Sequence, residues 1–410
     1  MIKISADNAR KGISFVFIVI GLIFWSGHSY FTVCTPILKV LMLLICAVGC
    51  IILSPYVKIH RKVTISNLFI WSIVVGALFS FFANYGKNIW LDPIMMVSVI
   101  LIAYCITDRI PFGKFRYIYG NTLAILTIIA IIVALLVNNG IEIPAFIYKN
   151  LQGRTYNTIW ICTWSPEDSR LMGPFWEPGL LSSFLLFGLV LETIVFRFEK
   201  SRMWVLITLI AGILFSQSAA GYLLLLLVLF IWFQKSRKIH VIWDILAIIV
   251  FFIGLYFQDY LTLLLYQINP DVFWKLTTDS ITGNTRFMSP IVCFKVFLDN
   301  PIFGNGLSLA IEKYNLLKTS VDSNMAIDAL TSTNAFFMSA FGIWGISYTI
   351  TWVVGIIRTK CSSILVRILL FLLIMVILNK EPHYNLMITY VLMFYLCKAE
   401  YAKDIASTVQ

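Results

Sequence analysis

The chain has 410 residues, 60% of them hydrophobic and 12% charged, with a formal charge of +11 and a mean hydropathy of +0.89. A soluble domain is nearer a quarter charged, so this composition cannot cover a 47 kDa surface in water, and lipid must be the solvent for most of it. The bases stand in short clusters between apolar runs, which is the pattern of membrane-protein loops and excludes a nucleic-acid surface. Backbone polar groups in hydrocarbon must be satisfied internally, and long uninterrupted apolar runs exclude a β-barrel. The expected fold is all-α: one polytopic integral membrane domain over residues 1–410 with about 12 transmembrane helices.

In chain order the apolar runs are Ile13–Trp25, Thr35–Leu53, Ile65–Ala83, Pro93–Ile106, Asn121–Val137, Gly179–Phe196, Met203–Phe215, Ala219–Phe233, Val241–Phe257, Asn334–Ile357, Ile364–Leu378 and Tyr384–Leu396. The first is followed by Trp25 and His28 rather than a small-residue cleavage site, so no cleaved signal peptide is expected. The uncharged stretch from Met203 to Phe233 is too long for one straight span and carries Ser216, Gln217, Ser218 and Gly221 at its middle. It reads as two short helices joined by a tight turn, with a single long tilted helix as the alternative.

Charge distribution favours the two-helix reading. It places twenty bases on one face of the membrane, in groups such as Arg109, Lys114, Arg116 and Arg197, Lys200, Arg202. Ten bases fall on the other face, and Lys39 lies within a span. By the positive-inside rule the base-rich face and both termini are cytoplasmic. A bacterial inner (cytoplasmic) membrane is the expected location.

Two exterior segments are long, about 138–178 and 258–333, and long loops usually carry function. The only exterior arginines, Arg154, Arg170 and Arg286, lie in them. A guanidinium binds phosphate oxygens as a bidentate fork, so three of them suit a diphosphate at the outer surface. Pairing with local acids such as Glu167, Asp168, Asp279 and Asp299 is the competing reading. Ser289-Pro290 reads as an N-cap and first helical residue. Ile291, Phe294, Phe297 and Leu298 then give a short helix one greasy face, and Asp299-Asn300-Pro301 ends it. That helix is expected either at the outer interface or packed on the bundle, with Arg286 beside its N-terminus.

Glu177 falls at the start of a span, where a carboxylate can cap the helix or deprotonate a sugar hydroxyl. His383, beside Lys380 and Glu381, is an interface anchor or a substrate ligand. Intramembrane charges are few (Lys39, Glu192, Asp244), which argues against an ion-coupled transporter. Eight cysteines, Cys46, Cys50, Cys105 and Cys397 among them, show no paired spacing, and neither a metal site nor a cofactor is expected.

Three stretches carry a family likeness: Arg170-Leu-Met-Gly-Pro-Phe-Trp-Glu-Pro-Gly179; Asn284-Thr-Arg286 through Phe297-Leu-Asp-Asn-Pro-Ile-Phe-Gly-Asn-Gly306; and Thr333-Asn334-Ala-Phe-Phe followed by Phe341-Gly-Ile-Trp-Gly345. In order and spacing they resemble the O-antigen polymerase and ligase superfamily of bacterial envelope proteins. The resemblance implies a glycosyltransferase that moves glycans carried on undecaprenyl diphosphate, without a nucleotide-sugar site. It implies Arg286 and Arg170 as leaving-group stabilisers with Glu177 assisting the acceptor hydroxyl. Arg154, Asn334, Lys295 and His383 would be substrate-binding. Ligases commonly carry a histidine where this chain has Thr333, which favours the polymerase. A chain-length regulator and a flippase are the expected partners. The ligase, and a flippase or transporter for lipid-linked sugars, stay open as alternatives.

Overall fold

The computed structural model describes residues 2–30, 64–85, 91–149, 153–166, 168–236, 263–264, 266–267, 270–273, 281–321, 330–359 and 363–398. The expected runs Thr35–Leu53 and Val241–Phe257 lie outside these residues, as do Lys39, Asp244, Cys46, Cys50, Glu167 and Asp279. The described chain is mostly helical: α1 (Ile2–Gly27), α2 (Ile65–Ala83), α3 (Leu91–Arg109), α4 (Phe112–Asn138), α5 (Pro178–Leu189), α6 (Met203–Phe215), α7 (Ala219–Ser236), α8 (Pro270–Phe273), α9 (Ile281–Asp299), α10 (Leu307–Val321), α11 (Thr333–Phe341), α12 (Ile346–Arg358), α13 (Ile364–Lys380) and α14 (Met387–Cys397). Among the described residues, five segments are long and apolar enough to cross a membrane: Ile65–Ala83, Phe112–Asn138, Pro178–Val195, Ala219–Ser236 and Thr333–Arg358. The long apolar stretch is broken as expected. Gln217 takes φ +46, a left-handed conformation no helix continues through, and the Ser218 hydroxyl accepts the Gly221 amide at 3.3 Å to start α7.

The contacts group into two compact units. The first comprises Met1–Asn67, Met96–Gln217 and Asn385–Gln410. Its centre is α5 with its π-helical continuation Val190–Val195, buried along its whole length. A helix apolar on every side belongs in a core. The hydroxyls of Ser182 and Ser183 are satisfied on the Gly179 carbonyl (2.8 and 3.1 Å), as a buried helix in lipid requires. Helices α4, α5 and α6 approach closely at Gly212, where a Cβ would stand 2.5 Å from Thr127 Cγ2 and 2.8 Å from Leu185 Cδ1.

The two ends of this unit differ in chemistry. At one end the start of α4, the end of α5 and the start of α6 meet through buried charge. Glu192 takes Arg116 (2.7 Å) and Arg202 (2.6 Å), and Arg116 also reaches Glu199 (2.9 Å). Lys398 pairs with Asp108 at 2.6 Å, beside the end of α3. Arg116, Arg202 and Lys398 are thus grouped at one end, as the charge pattern assigns them.

At the opposite end the segment between α4 and α5 forms a lobe that the all-α expectation misses. It is a three-stranded antiparallel sheet, β1 (Phe146–Lys149), β2 (Thr155–Thr158) and β3 (Thr163–Trp164), with Phe146 opposite Thr158 and Thr158 opposite Thr163. Strands of two to four residues are too short to leave a period-2 signature.

The second unit comprises Leu68–Met95 and Ser218–Tyr384. Here α9, α10 and α11 pack together, and α12 and α13 extend the group. The expected short helix beginning at Ser289-Pro290 is corrected. Helix α9 starts at Ile281, ends at Asp299 as read, and carries Pro290 in its interior. The proline removes the amide that would bond the carbonyl of Arg286. Ser289 caps a different helix: its hydroxyl accepts the amides of Thr331 (3.2 Å) and Ser332 (3.3 Å) at the start of α11. The expected greasy face is not the one that packs. Val292, Cys293 and Val296 pack inward, while Ile291, Phe294 and Leu298 are exposed.

Candidate functional site: an arginine cleft at the helix ends

The lobe is pinned to the ends of the helices. The Leu171 amide donates to the carbonyl of Phe215, the last residue of α6 (3.2 Å). Just beyond α1, His28 Nε2 donates to the Trp160 carbonyl (2.5 Å), the Ser29 amide donates to Pro174 (2.9 Å), and the Ser29 and Thr163 hydroxyls bond at 2.7 Å. Burial drives the His28 pKa down to about 4 despite that backbone bond, so the ring is neutral at pH 7.

Between the lobe and the last turns of α4 lies a small open cleft of about 30 Å³. One wall is apolar and small (Ala130, Val133, Ala134, Val137), and the other mixes polar side chains (Thr163, Ser165, Asp168, Arg170) with apolar ones (Cys162, Trp164, Leu171, Met172). Asp168 and Arg170 line the cleft, and Arg154, outside its lining, converges with Arg170 on that carboxylate. Asp168 Oδ2 accepts from both Nη2 atoms at 2.6 Å, and Asp168 Oδ1 accepts Arg170 Nε at 2.8 Å. Burial disfavours the Asp168 anion, but the hydrogen bonds and charge of the two arginines outweigh it and hold the pKa below the usual carboxylate range. The same pairing raises Arg170 further. Glu177 is the N-cap residue of α5, yet its side chain makes no capping bond. Its charge instead acts on Arg170 and on Tyr156, whose ring lies 5.3 Å beneath the Arg154 guanidinium.

In the second unit, Arg286 lies in the second turn of α9 rather than beside its N-terminus, because the helix starts earlier than the sequence reading placed it. Its Nη2 donates to Glu381 at 2.9 Å, while its Nε is buried with no hydrogen-bond partner. Lys380, Glu381, His383 and Thr333 are all buried beside one another in sequence or by contact, and the His383 amide donates to the Thr333 hydroxyl (2.9 Å). Burial first, then the Lys380 charge, pushes the His383 pKa down to about 3, so its ring too is neutral at pH 7. Asn334 is engaged by Met375 Sδ (3.2 Å) and by the Thr349 hydroxyl (3.3 Å). Lys295 is exposed on α9.

The second and third likeness stretches form one joint. The Asn300–Gly306 turn bonds to the end of α11 through Asn305 to Ser339 (3.1 Å), Gly306 to Ala340 (2.8 Å) and Ile343 to Pro301 (2.8 Å), all backbone to backbone. Gly304 (φ +70) and Gly342 (φ +61) face each other where neither strand of chain leaves room for a Cβ. These motif glycines hold architecture.

The structure therefore brings Arg154 and Arg170 together in the first unit, with Glu177 close enough to act on Arg170, and places Arg286 and His383 in the second. Sequence reasoning missed Glu381 as the partner of Arg286, since 95 positions separate them. It named Asp168 only as one acid among several. Among the described residues no group of three or more metal-ligating side chains gathers, and Cys105, Cys162, Cys293 and Cys397 are free thiols. Comparison with protein families, with curated proteins and with solved structures finds no match.

Proposed function

We propose that the protein is a membrane glycosyltransferase, one that polymerises undecaprenyl-diphosphate-linked oligosaccharide repeat units on the outer face of a bacterial inner membrane. In this reading the chain crosses the bilayer about 12 times, both termini are cytoplasmic, and residues 138–178 and 258–333 are periplasmic. The observation that carries it is the pair of guanidiniums, Arg154 and Arg170, sharing the Asp168 carboxylate, which with Arg170 lines a cleft whose other wall is the end of an apolar helix. Such a cleft suits an anionic group attached to a lipid.

The chemistry follows from the residues. Arg170 holds the diphosphate and stabilises the charge that develops as it leaves the anomeric carbon, and Arg286 in the second unit is the other candidate for that role. An acceptor hydroxyl attacks that carbon, and Glu177, uncommitted to helix capping, takes its proton.

The test is the surface glycan of a deletion strain complemented by variants. Arg286→Ala also strips Glu381 of its partner, so Arg286→Lys and Arg170→Lys are the informative changes: the charge stays and the fork is lost. Core bearing a single repeat unit, with the ladder gone and the protein present at normal level, supports a polymerase. Bare core with polymer accumulating on the carrier means the ligase, and a normal ladder from the lysine variants sinks the arginine assignment.

A further inference from the structure

The lobe carries an apolar patch that the proposed chemistry does not use. Ile141 (51%), Phe146 (48%), Ile147 (65%), Trp160 (47%) and Ile161 (39%) are exposed large hydrophobic residues within one short extramembrane segment. Their geometry is fixed. Trp160 holds the hairpin tip with φ +68, and its amide and carbonyl are tied to Thr158 Oγ1 (3.0 Å) and His28 Nε2 (2.5 Å). Tyr30 stands edge-on to Phe146, Tyr148 and Trp160 at 5.2–5.4 Å.

Depth decides what this patch meets. Tyr30 is three residues past the end of α1, so the cluster lies within roughly 10 Å of that helix end by chain length alone. The lobe's other tie is to the last residue of α6. The headgroup layer on each side of a bilayer is about 5–7 Å thick beyond the ~30 Å core. The patch also continues the outward stripe of α4, where Ile125, Ile128, Ile132, Leu135 and Leu136 are exposed on a helix long enough to span. Aromatic and aliphatic side chains at that level partition into the interface.

We infer that the Ile159–Ile161 hairpin tip and the Phe146–Ile147 edge form a membrane-interface foot, seated in the headgroup and upper acyl region of the leaflet on the lobe's side. The foot holds the Asp168–Arg170 cleft at the depth of lipid phosphates, so the cleft takes an anion delivered by a lipid rather than one from solution. The inference stands on membrane association and the lobe's geometry, independently of the glycosyltransferase reading.

The test is depth measurement on the full-length protein in nanodiscs of phosphatidylethanolamine and phosphatidylglycerol. Ile161→Cys is labelled with an environment-sensitive fluorophore, the unsubstituted protein providing the label background. Ile147→Cys is the second site should the first variant lose its melting transition. Shallow nitroxide lipids are expected to quench the label more than aqueous iodide does, with a blue-shifted emission that is lost in Trp160→Asp. Stronger quenching by iodide than by nitroxide lipid overturns the inference, and makes the patch a solvent-facing platform for glycan.

Discussion

Gly304→Ala offers the sharpest check on the joint between the Asn300–Gly306 turn and the end of α11. A Cβ at position 304 would overlap the carbonyl oxygen of Ala340 and stand 2.5 Å from the Gly342 amide nitrogen, both backbone atoms that cannot rotate away. The left-handed φ of +70 adds about 1–2 kcal/mol for any residue with a Cβ. Overpacking adds about 1–3 kcal/mol. The total of about 2–5 kcal/mol is a large share of the roughly 5–15 kcal/mol that holds a domain together. By soluble-domain scaling the melting temperature should fall by about 5–15 °C. Detergent-solubilised protein, followed by loss of the monodisperse peak on heating, gives the measurement. Gly342→Ala should behave alike, since its Cβ would stand 2.6 Å from the Pro301 oxygen, and the double variant should cost less than the sum because both substitutions press on one contact. Unchanged melting of Gly304→Ala, or full additivity, would refute the interlock.

Other expectations follow from the buried charges. Glu192→Gln leaves Arg116 and Arg202 without their shared carboxylate and should cost about 3–5 kcal/mol, read as lost yield and lower melting, with Glu192→Asp intermediate. Arg170→Lys should keep the protein level normal while product formation drops, measured as glycan ladder intensity against protein on the same samples. The two buried histidines set a pH dependence. Both have folded pKa values below the 6.5 of a free imidazole, about 4 for His28 and about 3 for His383, so the unfolded chain binds more protons in acid. Stability is therefore complete above pH 6.5 and declines as pH falls below it, by up to about 1.4 kcal/mol per pH unit for each ring. Melting at pH 7.5 and 5 should show the decline, and His383→Gln should flatten it; an unchanged slope would exclude His383 as a source.

What could be read from the sequence was whatever repeats or accumulates along it. Apolar runs placed the described helices from Ile65 to Ser236 and from Thr333 to Cys397 but not α8 or α10, which lie in the segment read as a long loop, and Ser216–Ser218 marked the break between α6 and α7. The base clusters also located one end of the first unit, because charge excluded from hydrocarbon collects at helix ends. Two local signals misled. Ser289-Pro290 has the composition of a helix start, but contacts with Thr331 and Ser332 use that serine from inside a longer helix. The β1–β3 sheet has strands too short to show a period, and its stability comes from Tyr30, Tyr148, Tyr156 and Met172 meeting across the fold.

The partners of the arginines are only partly local, since pairing with Asp168 was open to sequence reading and Glu381 was not, and this bears on how the site should be probed. Asp168 sits two residues from Arg170 but reaches Arg154 only because β2 and β3 reverse the chain, while Glu381 finds Arg286 across 95 positions. In each unit an arginine drawn from the likeness motifs is held by a carboxylate, Arg170 by Asp168 and Arg286 by Glu381. Two guanidiniums cannot sit together on Asp168 Oδ2 without that anion to offset their repulsion, and an arginine with a buried Nε needs a fixed anchor to keep its remaining donors aimed. Asp168 and Glu381 thus belong with the arginines as single units, and effects within each unit will not add. An alanine scan that scores the arginines alone will mix lost chemistry with a stranded carboxylate. Charge-retaining lysine variants, and paired changes of Arg286 with Glu381, separate the two.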